Sequence, residues 1–214
     1  MPHHKHVSIL GIGSALAEGV VTNDDLTKIV DTTDEWIFSR TGIKERRKLG
    51  PRQNNSDLAT AAAQSALKDA GLTPADIGLI ICATCSPDSI LPSVACTVAG
   101  NLELSATPAF DLNAACSGFV YACSTAAQFI QSGAQKNVLV IGSEALSRMI
   151  NYQDRSTCIL FGDGAGAVVM GPSHGKREFL DFFLAANGRS RHLITAGVGS
   201  AHVPDEKYLT DKTH

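Results

Sequence analysis

The sequence lacks the features that mark membrane, secreted and nucleic-acid-binding proteins. No apolar run among its 214 residues reaches the ~18 residues that a transmembrane helix needs. The first apolar segment, residues 7–10, begins directly after His6 and ends at Gly11, which is too soon and too short for a secretory signal. Lys and Arg number 18 against 21 Asp and Glu, so there is no basic excess to bind phosphate backbones. We therefore expect a cytoplasmic protein with no membrane or nucleic-acid partner.

A complete metal-binding or redox cysteine pattern is also missing. Cys82 and Cys85 have C-x-x-C spacing, but there is no second such pair and no histidine nearby. The chain has six cysteines, mostly within apolar segments; the other four are Cys96, Cys116, Cys123 and Cys158. We favour small buried side chains in a reducing compartment over a zinc or redox pair. No metal site is predicted.

What the sequence does contain is a regular alternation of apolar strands and helices. The predicted strands are 7–12, 77–83, 108–112, 138–142 and 167–170; the predicted helices start near Asn23 and cover 58–70, capped by Ser56, then 92–102 and 116–132. Strands that are apolar on both faces and alternate with helices indicate an α/β fold with a mainly parallel sheet covered by helices on both faces. We assign residues 1–171 to this domain and residues 172–214 to an irregular tail.

Cys116 lies where a predicted strand gives way, through small residues, to a helix. Backbone N–H groups at the start of a helix favour a thiolate, and small neighbours leave the sulfur accessible to a thioester. From this spacing alone, a buried core cysteine fits equally well.

Four segments in order and spacing resemble β-ketoacyl-acyl-carrier-protein synthase III, from about Val7 to Ala186. They are Asp34-Glu35-Trp36 with Arg40-Thr41-Gly42-Ile43, Leu91-Pro92-Ser93, Phe110 to Phe119 around Cys116, and Phe161 to Gly166. The last segment alone would also suit a phosphate-binding loop.

The resemblance implies a thiolase-like fold and a decarboxylating Claisen condensation that starts fatty-acid chains. An acyl group passes from acyl-coenzyme A to a cysteine, and malonyl on acyl-carrier protein then loses carbon dioxide and attacks the acyl carbonyl. No cofactor is tightly bound, because the coenzyme A thioester is a substrate. Malonyl-acyl-carrier protein is the second partner.

The resemblance also assigns individual residues, and two of them have a simpler alternative. Cys116 matches the nucleophile, and Trp36 and Arg155 match the pair that holds the adenine of coenzyme A. Arg40 and Thr41 match positions in the same coenzyme A site. Leu91 matches a side chain that reaches the acyl pocket of a second subunit, which implies a homodimer. A partly buried core tryptophan and a core leucine are the alternatives for Trp36 and Leu91. The basic cluster Lys44, Arg46, Arg47 and Lys48 fits either a carrier or coenzyme A contact or, more simply, a solvated strand face.

The sequence departs from the family pattern in its last third. The family also uses a histidine in a His-Gln-Ala-Asn-like segment and an asparagine from a second half, and neither is present. The chain looks truncated, and we expect that it cannot complete a condensation alone unless His174, His192 or His202 replaces them. Two other interpretations stay open: a non-catalytic fragment or dimerisation module, and a hydroxymethylglutaryl-coenzyme A synthase-like enzyme. The segment from Trp36 to Ile43 favours synthase III over the latter.

Overall fold

The computed structural model describes residues 6–173 and 178–190. Its strands are β1 (Val7–Leu16), β2 (Gly19–Thr22), β3 (Glu45–Lys48), β4 (Leu79–Ala83), β5 (Ala109–Leu112), β6 (Val138–Ala145) and β7 (Asp163–Pro172). Its α-helices are α1 (Asn23–Thr27), α2 (Asp34–Thr41), α3 (Asn55–Ala70), α4 (Val94–Asn101), α5 (Gly118–Gln131) and α6 (Arg155–Cys158). Short 3₁₀ turns cover Pro74–Asp76, Ala115–Ser117, Leu146–Arg148 and Gly188–Ser190.

Five strands form the central sheet, in the order β1-β7-β6-β4-β5. β4 pairs in parallel with both β5 and β6, whereas β7 is antiparallel to both of its neighbours, β6 and β1. Four of the five strands therefore point the same way, and β7 alone is reversed. The predicted, mainly parallel α/β sheet is confirmed, with this one exception.

Helices cover both faces of the sheet, as predicted. Alternate residues of β4 face opposite sides: Ile80 packs in the cluster with α3 and α4, and Ile81 packs in the cluster with α5. α3 lies very close to β1, because a Cβ added at Gly13 would stand 2.3 Å from the carbonyl oxygen of Ala62. Glycine in β1 thus lets the alanine-rich helix approach the strand backbone.

A smaller layer that the periodicity did not predict stands beside the sheet. β2 and β3 pair antiparallel, and α1 and α2 pack over a cluster that includes Leu26, Ile37 and Ile159. Arg46 is only 8% exposed and its guanidinium donates to the carbonyl oxygens of Val21 and Ile159 at 3.1 and 3.0 Å. The interpretation of Arg46 as part of a solvated basic face is therefore wrong, because backbone oxygens bind it inside the fold.

Several predicted boundaries shift. α3 begins at Asn55 rather than Leu58, and the backbone N–H of Asn54 donates to the Asp57 carboxylate at 2.7 Å, so Ser56 is not the cap. β6 and β7 each run past their predicted ends. The glycine-rich segment 162–166 lies mostly in β7, where Asp163 accepts from the Leu49 N–H at 2.7 Å. That segment is a sheet element and not a phosphate-binding loop.

Part of the predicted tail packs on the domain. Phe179 and Phe182 stack with ring centroids 5.1 Å apart and contact the core under α5, and the Phe179 N–H donates to the Val7 carbonyl at 2.9 Å. The division at residues 171 and 172 stays a prediction, and His174, His192 and His202 lie outside the described residues. None of the helices within the described ranges is long and apolar enough to span a membrane.

Candidate functional site

Cys116 lies in a tight turn between β5 and α5. The prediction began a helix at Cys116, but the structure has a 3₁₀ turn over Ala115–Ser117 and starts the α-helix at Gly118. Ala115 has φ +46°, a left-handed conformation that costs a non-glycine residue about 1–2 kcal/mol. Strained residues of this kind cluster at functional sites. The turn leaves Cys116 exposed.

The turn is pressed against the neighbouring strand. A Cβ added at Gly118 would lie 3.2 Å from the Cβ of Ala83, the last residue of β4. Ala83 pairs with Leu112 of β5, and the Thr84 N–H donates to the Leu112 carbonyl at 3.2 Å. The start of α5 and the loop after β4 are therefore immediate neighbours at the carboxyl edge of the sheet.

Glu144 of β6 reaches the same edge and holds the loop after β4. Its carboxylate accepts the Cys85 backbone N–H at 2.9 Å and a hydrogen bond from the Ser86 hydroxyl. Burial, the Glu144 charge and a side-chain hydrogen bond to that carboxylate raise the pKa of the Cys85 thiol to about 11, with a smaller contribution from Cys116. Cys85 is thus a neutral thiol at neutral pH.

The side chain of Asn55, the first residue of α3, ties the loop after β4 to β6 through hydrogen bonds. It is 1% exposed, and its side-chain N–H groups bond the Ser86 and Ser143 carbonyls at 3.0 and 3.2 Å and the Thr84 hydroxyl at 3.1 Å. The Ala145 N–H donates to the Ser86 hydroxyl at 2.8 Å. A buried, satisfied polar network fixes one arrangement of the groups it joins.

Leu91 is at the tip of the same loop and is not a core residue. Leu91 is 83% exposed and Ile90 is 87% exposed, so the core-leucine alternative is wrong. The loop is held at its far end by Asp111, whose carboxylate accepts the Val94 and Ala95 N–H groups, both at 2.8 Å, at the start of α4. Two large apolar side chains therefore project into solvent from an anchored loop.

The structure brings Trp36, Arg40 and Arg155 together, as the resemblance implied. The guanidinium carbon of Arg40, one turn further along α2, is 4.4 Å from the indole centroid, and that of Arg155 is 4.7 Å away. Arg155 also donates to the Asp31 carbonyl at 3.0 Å. The half-buried indole thus carries two cation–π contacts. A planar base cannot sit between Trp36 and Arg155 unless this guanidinium moves.

Two threonines, Thr32 and Thr41, are next in sequence to residues that contact this cluster. Only the Thr41 hydroxyl forms hydrogen bonds within the described residues. The Thr41 hydroxyl donates to the Ile37 carbonyl at 2.8 Å and accepts the Ile43 N–H at 3.0 Å, so it already serves the end of α2. Thr32, which the sequence analysis missed, has a buried hydroxyl with no partner among the described residues. A pair of threonines before a helix is the signal that was available: Thr33 caps α2, which leaves Thr32 unassigned.

Known proteins match the chain across these features. Residues 110–188 match the profile of the family described as 3-Oxoacyl-[acyl-carrier-protein (ACP)] synthase III. A β-ketoacyl-[acyl-carrier-protein] synthase III of Caldanaerobacter subterraneus subsp. tengcongensis is 48% identical over 204 residues, covering 95% of the chain and 62% of that protein. The Clostridium acetobutylicum protein of the same name is 55% identical over 164 residues, covering 77% of the chain and 50% of that protein.

Solved structures give the same family. The crystal structure of 3-oxoacyl-[acyl-carrier-protein] synthase III from Aquifex aeolicus is 53% identical, with a TM-score of 0.77 over 79% of this chain and 55% of that one. The corresponding structure from Pseudomonas aeruginosa is 37% identical, with a TM-score of 0.85 over 92% of this chain and 62% of that one. By sequence and by structure, the chain is similar over most of its own length to the β-ketoacyl-acyl-carrier-protein synthase III family.

The predicted thiolase-like α/β fold and the family resemblance are thereby confirmed. The chain nevertheless spans less than two thirds of the length of these synthase III relatives. What the whole relatives do is therefore not shown for this chain. The roles of Cys116, Trp36, Arg40, Thr41, Arg155 and Leu91 remain predictions.

Proposed function

We propose that the chain carries the acyl-accepting site of a β-ketoacyl-acyl-carrier-protein synthase III, with Cys116 as nucleophile. The observation that carries the proposal is the exposed Cys116 in a left-handed turn at the start of α5. In the reaction, the sulfur of Cys116 attacks the thioester carbonyl of acyl-coenzyme A, and coenzyme A leaves as a thiol after taking up a proton. Malonyl on acyl-carrier protein is the second substrate.

Burial separates most of the other cysteines from the exposed Cys116. Cys82, Cys123 and Cys158 are buried, and burial raises the pKa of each thiol, in Cys123 to about 11. Only Cys96 is exposed as Cys116 is. Its sulfur lies within α4, 3.5 Å from the Ala109 carbonyl. Cys96 is also in the first turn of its helix, but the Ser93 hydroxyl already caps its N–H at 3.1 Å. Because it is exposed and near a helix start, Cys96 serves as the natural control.

Coenzyme A binds, in this proposal, at the Trp36 cluster. The adenine stacks on the indole in place of the Arg155 guanidinium, which then covers the other side of the base. Arg40 supplies a cation for the phosphates.

The proposal includes a homodimer and a cytoplasmic location, as the family resemblance implies. The exposed Leu91 supports the dimer, since a second subunit would cover a side chain that is 83% exposed here.

Condensation requires groups beyond those at the described edge. Decarboxylation and carbon–carbon bond formation need donors for the enolate oxygen. His6 is the one histidine within residues 6–173 and 178–190, and its Nδ1 lies 2.5 Å from a carboxylate oxygen of Glu178, next to the start of β1. That position is at the amino edge of the sheet, opposite Cys116. We infer that this chain by itself stops at the acyl-enzyme.

Acetyl transfer followed by condensation tests the proposal. The purified chain is incubated with radiolabelled acetyl-coenzyme A and then with malonyl-acyl-carrier protein, and label is followed on Cys116 and in β-ketoacyl product. Label should appear on Cys116, remain in Cys96→Ser and vanish in Cys116→Ser, with no rapid product. An unlabelled Cys116 in folded chain would favour the non-catalytic interpretation, and product at rates typical of whole enzymes would contradict the arrest at the acyl-enzyme.

A further inference from the structure

Cys85 is a second thiol at the carboxyl edge of the sheet that acyl transfer does not use. It follows β4 by two residues, and Cys116 follows β5 by four. Its C-x-x-C neighbour Cys82 is a different case, because that side chain is fully buried in the core on the α3 side. Cys85 is half-buried in the loop that follows β4. Any reaction partner of the Cys85 thiol is therefore at this edge of the sheet and not in the core.

Three observations place Cys85 beside Cys116. The strands that precede them are adjacent and parallel, with Ala83 paired to Leu112. The Gly118 backbone contacts the side chain of Ala83. A charge on Cys116 raises the pKa of Cys85, and such an effect weakens with distance. The loops that carry the two cysteines are therefore adjacent at the same edge of the sheet.

We propose that Cys85 is a resolving thiol for Cys116, so that mild oxidation by a peroxide closes a reversible Cys85–Cys116 disulfide. The disulfide blocks acyl transfer while it lasts and protects Cys116 from irreversible oxidation. The inference rests on the proposed function only in taking Cys116 as the reactive thiol.

The two steps balance with peroxide as the oxidant. The Cys116 thiolate attacks one peroxide oxygen, the O–O bond breaks, and the other oxygen leaves and takes up a proton; the product is a sulfenic acid. Cys85 then gives its proton to the carboxylate of Glu144, which already binds the Cys85 backbone N–H at 2.9 Å. Its sulfur attacks the Cys116 sulfur, the S–O bond breaks, and hydroxide leaves with that proton as water. The peroxide gains the two electrons that the thiols lose.

Glu144 is a positioning residue in this scheme and also the proton acceptor. It bonds the Cys85 N–H, and its other oxygen bonds the Ser86 hydroxyl. Both bonds fix the backbone of the loop at Cys85 and Ser86. Glu144→Gln should therefore slow disulfide closure without abolishing the sulfenic acid, which a dimedone probe detects.

Oxidation and recovery of the Cys116 thiol test the proposal. The purified chain is treated with hydrogen peroxide, digested without reductant and mapped by mass spectrometry; a peptide joining Cys85 to Cys116 is expected. Dithiothreitol should then restore iodoacetamide labelling of Cys116. In Cys85→Ser, peroxide should carry Cys116 on to sulfinic acid, and most labelling should be lost permanently. Cys96→Ser should behave as the parent does.

The outcomes separate this proposal from the proposed function. Recovery in Cys85→Ser equal to the parent's, or a disulfide joining other cysteines, overturns the resolving role. Cys85→Ala gives a second variant should the serine form fail to fold by circular dichroism. Acetylation of Cys116 by acetyl-coenzyme A is measured in parallel on reduced chain. Loss of acetylation with normal disulfide formation overturns the function alone, and the reverse overturns the disulfide alone.

Discussion

Replacing Trp36 by alanine should weaken coenzyme A binding by about 1–2 kcal/mol, or roughly 5- to 30-fold in Kd. Stacking of a base on an aromatic side chain is worth ~1–3 kcal/mol. The base must first displace Arg155, which lies 4.7 Å from the indole centroid, and an exposed cation–π contact is worth ~0.5–1 kcal/mol. Because alanine removes both contacts, the loss of affinity is the difference between them, which is about 1–2 kcal/mol for a stacking energy of ~2–3 kcal/mol and a displaced cation–π contact of ~1 kcal/mol.

Isothermal titration with coenzyme A measures this change. Phe38→Ala is a matched control, because that ring lies on the same helix, is 45% exposed and contacts Lys44 instead. Trp36→Phe should give an intermediate loss, since it keeps an aromatic face and much of the contact with the small cluster that contains Ile37. Trp36 is the single tryptophan, so its fluorescence should also change as Arg155 leaves the ring. An unchanged Kd in folded Trp36→Ala, with measurable binding in the parent, would refute the stacking site.

Three further predictions concern the thiols and the close contact under β1. Limited iodoacetamide labelling with peptide mapping should modify Cys116 first among the six cysteines, and faster labelling of Cys96 would contradict the assigned nucleophile. Labelling of Cys85 should stay slow until the pH approaches about 11. In Glu144→Gln it should become fast at a lower pH, because the negative charge that opposes the Cys85 thiolate is gone. A Cys85 thiol that titrates near 8.5 in the parent would contradict this prediction. Gly13→Ala should lower the free energy of unfolding, measured in urea, by about 1–3 kcal/mol, because the added Cβ would stand 2.3 Å from backbone atoms of α3. The control Gly100→Ala, whose Cβ would have no atom within 4 Å, should be neutral or stabilising. Equal effects of the two substitutions would disprove the close approach of α3 to β1.

The alternation of strands and helices was predictable because buried strands such as Leu79–Ala83 are apolar on both faces. The reversed direction of β7 was not, since periodicity shows which side of a strand is buried but not which way the strand runs. α2 was missed because only Ile37 on it is buried, so the helix has almost no apolar stripe. Arg46 looked like a solvent residue because its partners are carbonyl oxygens, which leave no pattern in a sequence.

The candidate site divides in the same way. The position of Cys116 near a helix start was readable, but the left-handed Ala115 was not, because alanine gives no sign of a positive φ. The pairing of Trp36 with Arg155 came from the family resemblance, since the two residues are far apart in the chain. Glu144 and Asn55 were missed because their roles depend on contacts across strands β4 and β6.

The pairing of β1 with β7, a strand far along the sequence, also determines when the central sheet can be completed during synthesis. β1 is the first strand of the described residues, and among them its only partner in the sheet is β7, where Val7 pairs with Pro172. Translation at ~5–20 residues per second puts roughly 8–30 s between the two strands. Through that interval α3, which packs on the glycines of β1, is the element able to shield it. β1 is therefore joined to the rest of the sheet late in synthesis, by the strand that runs against the others.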